Sequence, residues 1–118
     1  MKALDVISYF DNIRPNSFDY KTKKMWLMSL ETDIRRFAYL HSTKEFDNSY
    51  TADDNPDLFL DEKHMDMYAY YLVSMADMTN AEYSLYNISS TYFNSLFAKW
   101  KRHYRSENIP ELKSAIKL

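Results

Sequence analysis

Cysteine and glycine are both absent from the 118 residues of this chain, and only three prolines are present. Without cysteine there can be no disulfide and no thiolate ligand for a metal ion. Without glycine a phosphate-binding glycine loop is impossible, and tight two-residue β-hairpins lose the residue they prefer. Turns must rely on Asn, Asp and the prolines, and this favours a helical fold over a β-rich one.

Long apolar runs are also missing. No segment approaches the ~20 continuous apolar residues of a membrane-spanning helix, and residues 1–5 show no apolar signal segment. We therefore expect no membrane association and a location in the cytosol of the cell that makes the protein. The formal net charge of −2 argues against a free-standing nucleic-acid binder, because such proteins are usually basic.

Aromatic residues, in contrast, make up 17% of the chain, and 11 of them are tyrosines. A stripe at alternating spacings of four and three runs through residues 65–104, on one side of an α-helix. Its unbroken phase indicates either one long helix or two helices that share a face. Such a stripe usually faces a core, although tyrosines also suit a protein interface. Its members are Met65, Ala69, Leu72, Ala76, Thr79, Tyr83, Tyr86, Ser90, Phe93, Phe97, Trp100 and Tyr104.

Two shorter helices are predicted upstream. Residues 2–13 carry Leu4, Ile7 and Phe10 at helical spacing, with Val6 and Ile13 beside them. Pro15 ends this helix. The second helix is expected to begin near Asp19, which can cap it, and to end between residues 40 and 42.

Side chains of the second helix divide into two predicted faces. The outer face comprises Lys21, Lys23, Lys24, Arg35 and Arg36, with Glu31 and Arg35 spaced for a surface ion pair. The inner face comprises Trp26, Leu27, Leu30, Ile34, Phe37 and Leu40. We predict that the core of the protein contains Trp26, Leu30, Ile34, Phe37, Leu72, Phe93 and Phe97.

Residues 42–61 lose all periodicity and are rich in aspartate, which predicts a long acidic loop. A calcium site is disfavoured there, because the loop lacks the central glycine and the ligand spacing of an EF-hand. We expect residues 42–57 to have few apolar anchors and to be the most mobile internal segment, and Leu58, Phe59 and Leu60 to return to the core as a short extended piece.

The C-terminal half is predicted to begin its first helix at residues 62–65. Candidate breaks fall at residues 80–81 and 87–90, and Ser89 or Ser90 could cap a new helix. Pro110 should stop the last helix, leaving a short tail over residues 108–118.

No catalytic, cofactor or metal site is predicted. His41, His64 and His103 are far apart and lie in no ligand motif. The cluster of Asp61, Glu62, His64 and Asp66 is best interpreted as an acidic helix N-terminus. Asp77, near the apolar stripe, is expected to be satisfied by tyrosine hydroxyls.

The one basic cluster comprises Lys99, Lys101, Arg102, His103 and Arg105. Its simplest interpretation is a last helical turn that complements the helix dipole; the alternative is contact with an acidic partner or nucleic-acid phosphates. The mixture of basic and aromatic residues is typical of protein interfaces. The predicted contact surface comprises Trp100, Arg102, Tyr104 and Arg105.

Five short motifs follow one another along the chain. They are P-N-S-F at residues 15–18, W-L-x-x-L at 26–30, Y-x-x-Y-L at 68–72, D-x-x-N-x-E-Y-x-x-Y-N at 77–87 and F-N at 93–94. Their order and spacing resemble a family of small proteins from tailed phages and prophages of Gram-positive bacteria. These relatives share Y-x-x-Y-L, then D-x-x-N-x-E-Y-x-x-Y-N, then F-N. They usually have glycine where Ala81 stands, and prolines where this chain has Asp61 and Lys63. The match runs from about residue 4 to 105. It is carried by Pro15, Asn16, Ser17, Phe18, Trp26, Leu27, Leu30, Tyr68, Tyr71, Leu72, Asp77, Asn80, Glu82, Tyr83, Tyr86, Asn87, Phe93, Asn94, Phe97 and Trp100.

The family is commonly assigned to head-tail connector, or head-completion, proteins. The resemblance implies an all-α protein that docks beneath the portal protein as a homo-oligomeric ring, usually of twelve copies, and meets tail or stopper proteins below. It implies that DNA passes nearby and that no residue is catalytic. The expected location is the bacterial host cytoplasm and then the virion neck.

We therefore expect a single all-α domain over residues 1–118, with about four helices in a small bundle and an acidic loop between the second and third. The expected function is virion assembly without enzymatic activity. A non-viral helical adaptor or regulatory protein-binding module is the alternative.

Overall fold

A computed structural model describes residues 1–41 and 49–116, with side chains described for residues 1–41 and 50–107. The fold is all-α, as predicted. The four α-helices of this part of the chain are α1 (Ala3–Ile13), α2 (Tyr20–Leu40), α3 (Met65–Thr79) and α4 (Tyr83–Ile116). Two 3₁₀ turns, Ser49–Ala52 and Glu62–His64, lie between α2 and α3.

Helix α1 turns most of the predicted face to the core, with Leu4 and Ile13 as the exceptions. Ala3, Val6 and Phe10 are completely buried and Ile7 nearly so, while Leu4 is about half exposed. The apolar stripe therefore passes through positions 3, 6, 7 and 10, and Leu4 was wrongly placed on it. The backbone N–H of Leu4 donates to Asn55 Oδ1 at 2.8 Å, which ties this helix to the segment before α3.

Helix α2 begins where the sequence predicts. The Asp19 carboxylate accepts a hydrogen bond of 2.8 Å from the backbone N–H of Thr22. Hydrogen bonding by the Thr22 side chain, and then by this N–H, lowers the pKa of Asp19. The helix ends at Leu40, which is exposed rather than part of the inner face. Trp26, Leu30 and Ile34 are buried, as expected.

Two charged residues of α2 lie in the interior, contrary to the predicted outer face. Lys23 is buried because its ammonium group reaches Asp11 on α1, 2.9 Å away. Glu31 pairs with Arg35 at 2.9 Å, but it is 0% exposed, so this is not a surface ion pair. Partners on other segments explain both positions, and helical spacing within α2 cannot reveal them.

Helices α3 and α4 form an antiparallel hairpin. Tyr70 contacts Tyr92, and Asp77 contacts Ser89, so later residues of α3 meet earlier residues of α4. The stripe over residues 65–104 thus belongs to two helices. The first predicted break is confirmed, because the chain turns between Thr79 and Tyr83. The second is wrong, because α4 is continuous through residues 87–90.

The turn of the hairpin is made by an alanine in a left-handed conformation. Ala81 has φ of 57°, the only positive φ among the described residues. The backbone N–H of Glu82 then donates to the Asp77 carbonyl at 2.9 Å, and the N–H of Ala81 to the Met78 carbonyl at 3.1 Å. These bonds satisfy carbonyls left free at the end of α3.

Helix α4 does not stop at Pro110. Its backbone remains helical to Ile116, so it spans 34 residues, about 50 Å. Proline deletes only its own N–H donor and disturbs one preceding carbonyl, and the helix continues past that single lost bond. The basic residues 99–105 accordingly lie within α4 rather than in its last turn.

The segment before α3 is fastened to the start of the chain by backbone hydrogen bonds. The N–H of Ala3 donates to the Pro56 carbonyl and the N–H of Leu58 to the Met1 carbonyl, at 3.0 and 2.8 Å. Pro56 and Leu58 are buried, while Phe59 is partly exposed. Among residues 50–57 the apolar contacts with the core come from Pro56 and the partly buried Tyr50, which agrees with the expectation of few apolar anchors. The mobility of this segment stays a prediction, and residues 42–48 of the predicted acidic loop lie outside the described part of the chain.

The core lies where α1, α2 and the α3–α4 hairpin meet. Leu72 and Phe93 are buried as predicted, but Phe37 and Phe97 are only half-buried. Phe37 on α2 and Phe97 on α4 both pack against Trp100, in a cluster of large rings that share the remaining surface. Tyr68, not included in the predicted core, is the largest of the fully buried side chains.

Candidate protein interaction surfaces

The predicted contact surface on α4 is only partly accessible. Trp100 is 5% exposed, because its ring packs 5.4 Å from Phe37, 5.9 Å from Phe97 and 5.4 Å from Tyr104, between centroids. An indole buried among three rings is a core residue. Trp100 was therefore wrongly assigned to the surface, and it acts as the support beneath Tyr104.

The other three predicted residues remain at the surface. Arg102 and Arg105 are exposed, and Tyr104 is half-buried with its hydroxyl 3.5 Å from the Ala38 carbonyl. The Arg105 guanidinium lies 5.9 Å from the Phe37 ring centre. Together with Lys101, whose ammonium group is 4.2 Å from the Phe97 ring centre, they form a basic and aromatic surface. Such a surface suits a protein partner with acidic groups.

A cleft of about 230 Å³ opens beside this surface, between the start of α3 and α4. Burial lowers the pKa of His64 in its wall, and the nearby Lys63 and His103 lower it further, against the effect of Asp61. Cations and carboxylates are mixed around the cleft, so its charge selects no simple ion. Its walls are Lys63, His64, Asp66, Met67, Leu96, Lys99, Trp100 and His103.

The mixed carboxylate and imidazole cluster at residues 61–66 is structural. Asp61 accepts a hydrogen bond from the backbone N–H of Lys63 at 3.1 Å, and Asp66 accepts one from the Tyr9 hydroxyl at 2.7 Å. The hydrogen bond to Asp66 raises the pKa of Tyr9. Among the side chains described for residues 1–41 and 50–107, no three His, Cys, Asp or Glu residues are grouped so that they could hold a metal ion.

A first buried polar network joins the hairpin to the end of α1. Asp77 is almost completely buried, pairs with the Arg14 guanidinium and accepts a hydrogen bond of 2.9 Å from the Ser89 hydroxyl. The expectation of tyrosine partners for Asp77 is wrong. An arginine 63 positions earlier takes that role, and its proximity follows only from the way α1 packs on α3.

A second buried network does use a tyrosine. The Tyr68 hydroxyl donates to Glu31 at 2.7 Å, and the backbone N–H of Phe59 donates to the same carboxylate at 2.7 Å. Burial and the adjacent Glu31 carboxylate strongly raise the pKa of Tyr68, so its hydroxyl stays protonated. Arg35 completes the set, and α2, α3 and the segment before α3 are thereby held together.

A different surface, missed in the sequence prediction, lies on the first half of α4. Tyr83, Leu85, Ile88 and Tyr92 are all substantially exposed, although Tyr83 belongs to the apolar stripe. They lie on the side of α4 that the other helices leave uncovered, whereas Ser89 in the same turns is buried against Asp77 of α3. The signal available in the sequence is the lack of any charge over residues 83–98.

The chain was also compared with known proteins. None of the helices in the described part of the chain is long and apolar enough to cross a membrane. No protein-family model, no curated protein and no solved structure matches this chain.

Proposed function

We propose that this protein is a phage head-tail connector that docks beneath the portal protein as a homo-oligomeric ring. Tail or stopper proteins would bind below it, and DNA would pass nearby. In this role the protein supplies contacts rather than catalysis, and it moves from the host cytoplasm to the virion neck. The proposal rests on the motif resemblance and on what the motif residues do in the fold.

The observation that carries the proposal is the conformation of Ala81. Members of the resembled family usually have glycine at this position, and glycine is the residue that enters positive φ without steric cost. Here the position has φ of 57°. The neighbouring motif residues fit the same turn, since Asp77 accepts at its carbonyl from Glu82 and Tyr86 donates its N–H to the Glu82 carbonyl. A positive φ at this position in both this chain and the resembled family would mean that both form the same kind of helical hairpin.

The surface of the protein is compatible with assembly on a larger template. The basic and aromatic surface of Arg102, Tyr104 and Arg105 is one candidate contact for the portal or the tail side, with Trp100 as its buried support. A net charge of −2 gives little long-range repulsion between copies. We therefore expect the isolated protein to be a monomer or a weak oligomer that forms its ring on the portal.

Deletion of the gene from the phage or prophage that carries it tests this function. The expected result is accumulation of heads and free tails that fail to join, and rescue by the wild-type gene supplied in trans. Rescue should fail with the double substitution Arg102→Glu, Arg105→Glu and succeed with Lys21→Glu, an exposed charge reversal on α2. Normal yields of infectious particles after deletion would reject the connector and favour the adaptor alternative.

A further inference from the structure

The first half of α4 carries no charge at all. Residues 83–98 are sixteen consecutive uncharged positions, although a chain with 27% charged residues would place about four in a stretch of that length. Burial does not explain this lack of charge, since Ile88 is 70% exposed and Tyr83 is 61% exposed. We call its exposed side chains the neutral face; they are Tyr83, Ser84, Leu85, Asn87, Ile88, Thr91, Tyr92, Asn94 and Ser95.

Apolar groups on the neutral face are aligned and supported. Leu85, Ile88 and Tyr92 follow spacings of three and four, so they form one stripe along the helix. Tyr92 is held by an edge-to-face contact with Tyr70 on α3, with 4.7 Å between ring centres. A ring fixed before binding loses little side-chain entropy when a partner covers it.

Polar groups of the neutral face are partly satisfied within the helix. The Thr91 hydroxyl donates to the Asn87 carbonyl at 2.6 Å. Covering such a hydroxyl costs less than covering one that is bonded only to water. The remaining polar side chains are Asn and Ser, which together with Tyr are typical of adaptable protein-binding surfaces.

We propose that the neutral face packs against a neighbouring copy of this chain in the assembled ring, which deepens the connector function and rests on it. The chain carries 15 Lys and Arg and 17 Asp and Glu residues, so two copies that meet through charged surfaces must match or desolvate those charges. At the neutral face a second copy approaches without placing any like charge opposite another. A strongly charged partner would gain nothing from this surface, since it offers no counter-charge.

The size of the face sets the strength of the contact. It is about 20 Å long and about 10 Å wide, or a few hundred Å² per copy. Stable complexes bury about 800 Å² per partner. The contact is therefore too small to hold free copies together and acts when portal docking has already aligned them, as a source of cooperativity.

Sedimentation of the purified protein at concentrations up to about 1 mM tests the contact without any portal protein. We expect a weak, concentration-dependent association that Ile88→Lys and Ser95→Lys, two turns apart on the same side of α4, weaken at least tenfold. Met25→Lys, on the outer side of α2 and 63% exposed, should leave it unchanged. Two lysine variants on one face guard against a folding defect in either, and circular dichroism checks both.

Absence of association in the wild type, or equal behaviour of all three variants, would overturn the inference. Titration of portal rings then separates this result from the proposed function. Wild-type protein should fill the ring cooperatively, while Ile88→Lys should still bind but fill sites independently. If the wild-type protein and Ile88→Lys bind the portal ring with equal cooperativity, the neutral face is rejected as the contact between copies. If the wild-type protein does not bind the portal ring at all, the connector function is rejected instead.

Discussion

Ser89 on α4 donates a hydrogen bond of 2.9 Å to Asp77 near the end of α3, and Arg14 pairs with the other oxygen of that carboxylate. One buried side chain thus joins the end of α1 to both helices of the hairpin. An aspartate with both oxygens engaged is stable in the interior, whereas one that loses a partner is not.

Removal of the Ser89 hydroxyl should therefore weaken the hairpin. We expect Ser89→Ala to lower the free energy of unfolding by about 1 kcal/mol, because the buried Asp77 loses a donor. Asp77→Ala should lower it by about 2–4 kcal/mol. The loss is smaller than for a fully buried ion pair, because the partly exposed Arg14 guanidinium can be solvated when its partner is removed. Ser90→Ala removes the neighbouring hydroxyl, whose hydrogen bond to the Asn87 carbonyl is exposed to solvent. This substitution should change the free energy of unfolding by less than about 0.5 kcal/mol. Urea denaturation measures all three; equal effects of the two serine substitutions would contradict the network.

Ala81→Gly should stabilise the protein. Ala81 has φ of 57°, where a Cβ atom costs about 1 kcal/mol or more. Glycine removes that steric cost. It also increases the conformational entropy of the unfolded chain, which offsets part of the effect, so the free energy of unfolding should rise by about 0.5–1 kcal/mol. Ala98→Gly, at an exposed position inside α4, should instead destabilise by about 1 kcal/mol. Thermal and urea melts of the two variants should move in opposite directions, and a shift in the same direction would show that the turn is not strained.

Glu31 should be among the most sensitive charged positions of the chain. Its carboxylate is fully buried and bonded to Arg35, Tyr68 and the backbone N–H of Phe59. Glu31→Ala leaves these groups without their partner, and we expect a loss of about 3–5 kcal/mol. Asp33→Ala, an exposed acid two residues away, should cost less than about 0.5 kcal/mol. A small loss at Glu31 in urea denaturation would mean that water replaces the carboxylate.

His64 should make the stability depend on pH. Burial lowers its pKa in the folded protein below the ordinary value of 6.5, so the folded state holds fewer protons than the unfolded state. Linkage then requires stability to be full above about pH 6.5 and to fall as the pH drops below that value. His64→Gln should flatten this part of the curve of unfolding free energy against pH. An unchanged slope in the variant would assign the dependence to other groups.

Helix types and most boundaries could be predicted from the sequence, because local signals determine them. Asp19 caps α2 through a bond to Thr22, three residues away, and the apolar stripe of residues 65–104 is visible in the spacing alone. The predicted break at Ala81 is of the same kind. The backbone N–H groups of Asn80, Ala81 and Glu82 donate to carbonyls of the last turn of α3, so the bonds that close this helix are local.

Positions that depend on partners far along the chain could not be predicted. Lys23 and Glu31 have the spacing of surface residues, and their burial follows from Asp11 and Tyr68 on other helices. Trp100 looks like part of a basic interface, but Phe37 from α2 covers it. The exposure of Ile88 likewise reflects which side of α4 the other helices leave uncovered rather than any local preference.

The most direct test of the connector account is the mass of the complex formed with portal rings assembled from the portal gene nearest to this one. Multi-angle light scattering should give a monomer or weak oligomer for the protein alone. With portal rings it should give one saturated complex, whose added mass equals one 14.2 kDa chain per portal subunit. A portal ring whose mass does not change in the presence of excess protein would contradict the account.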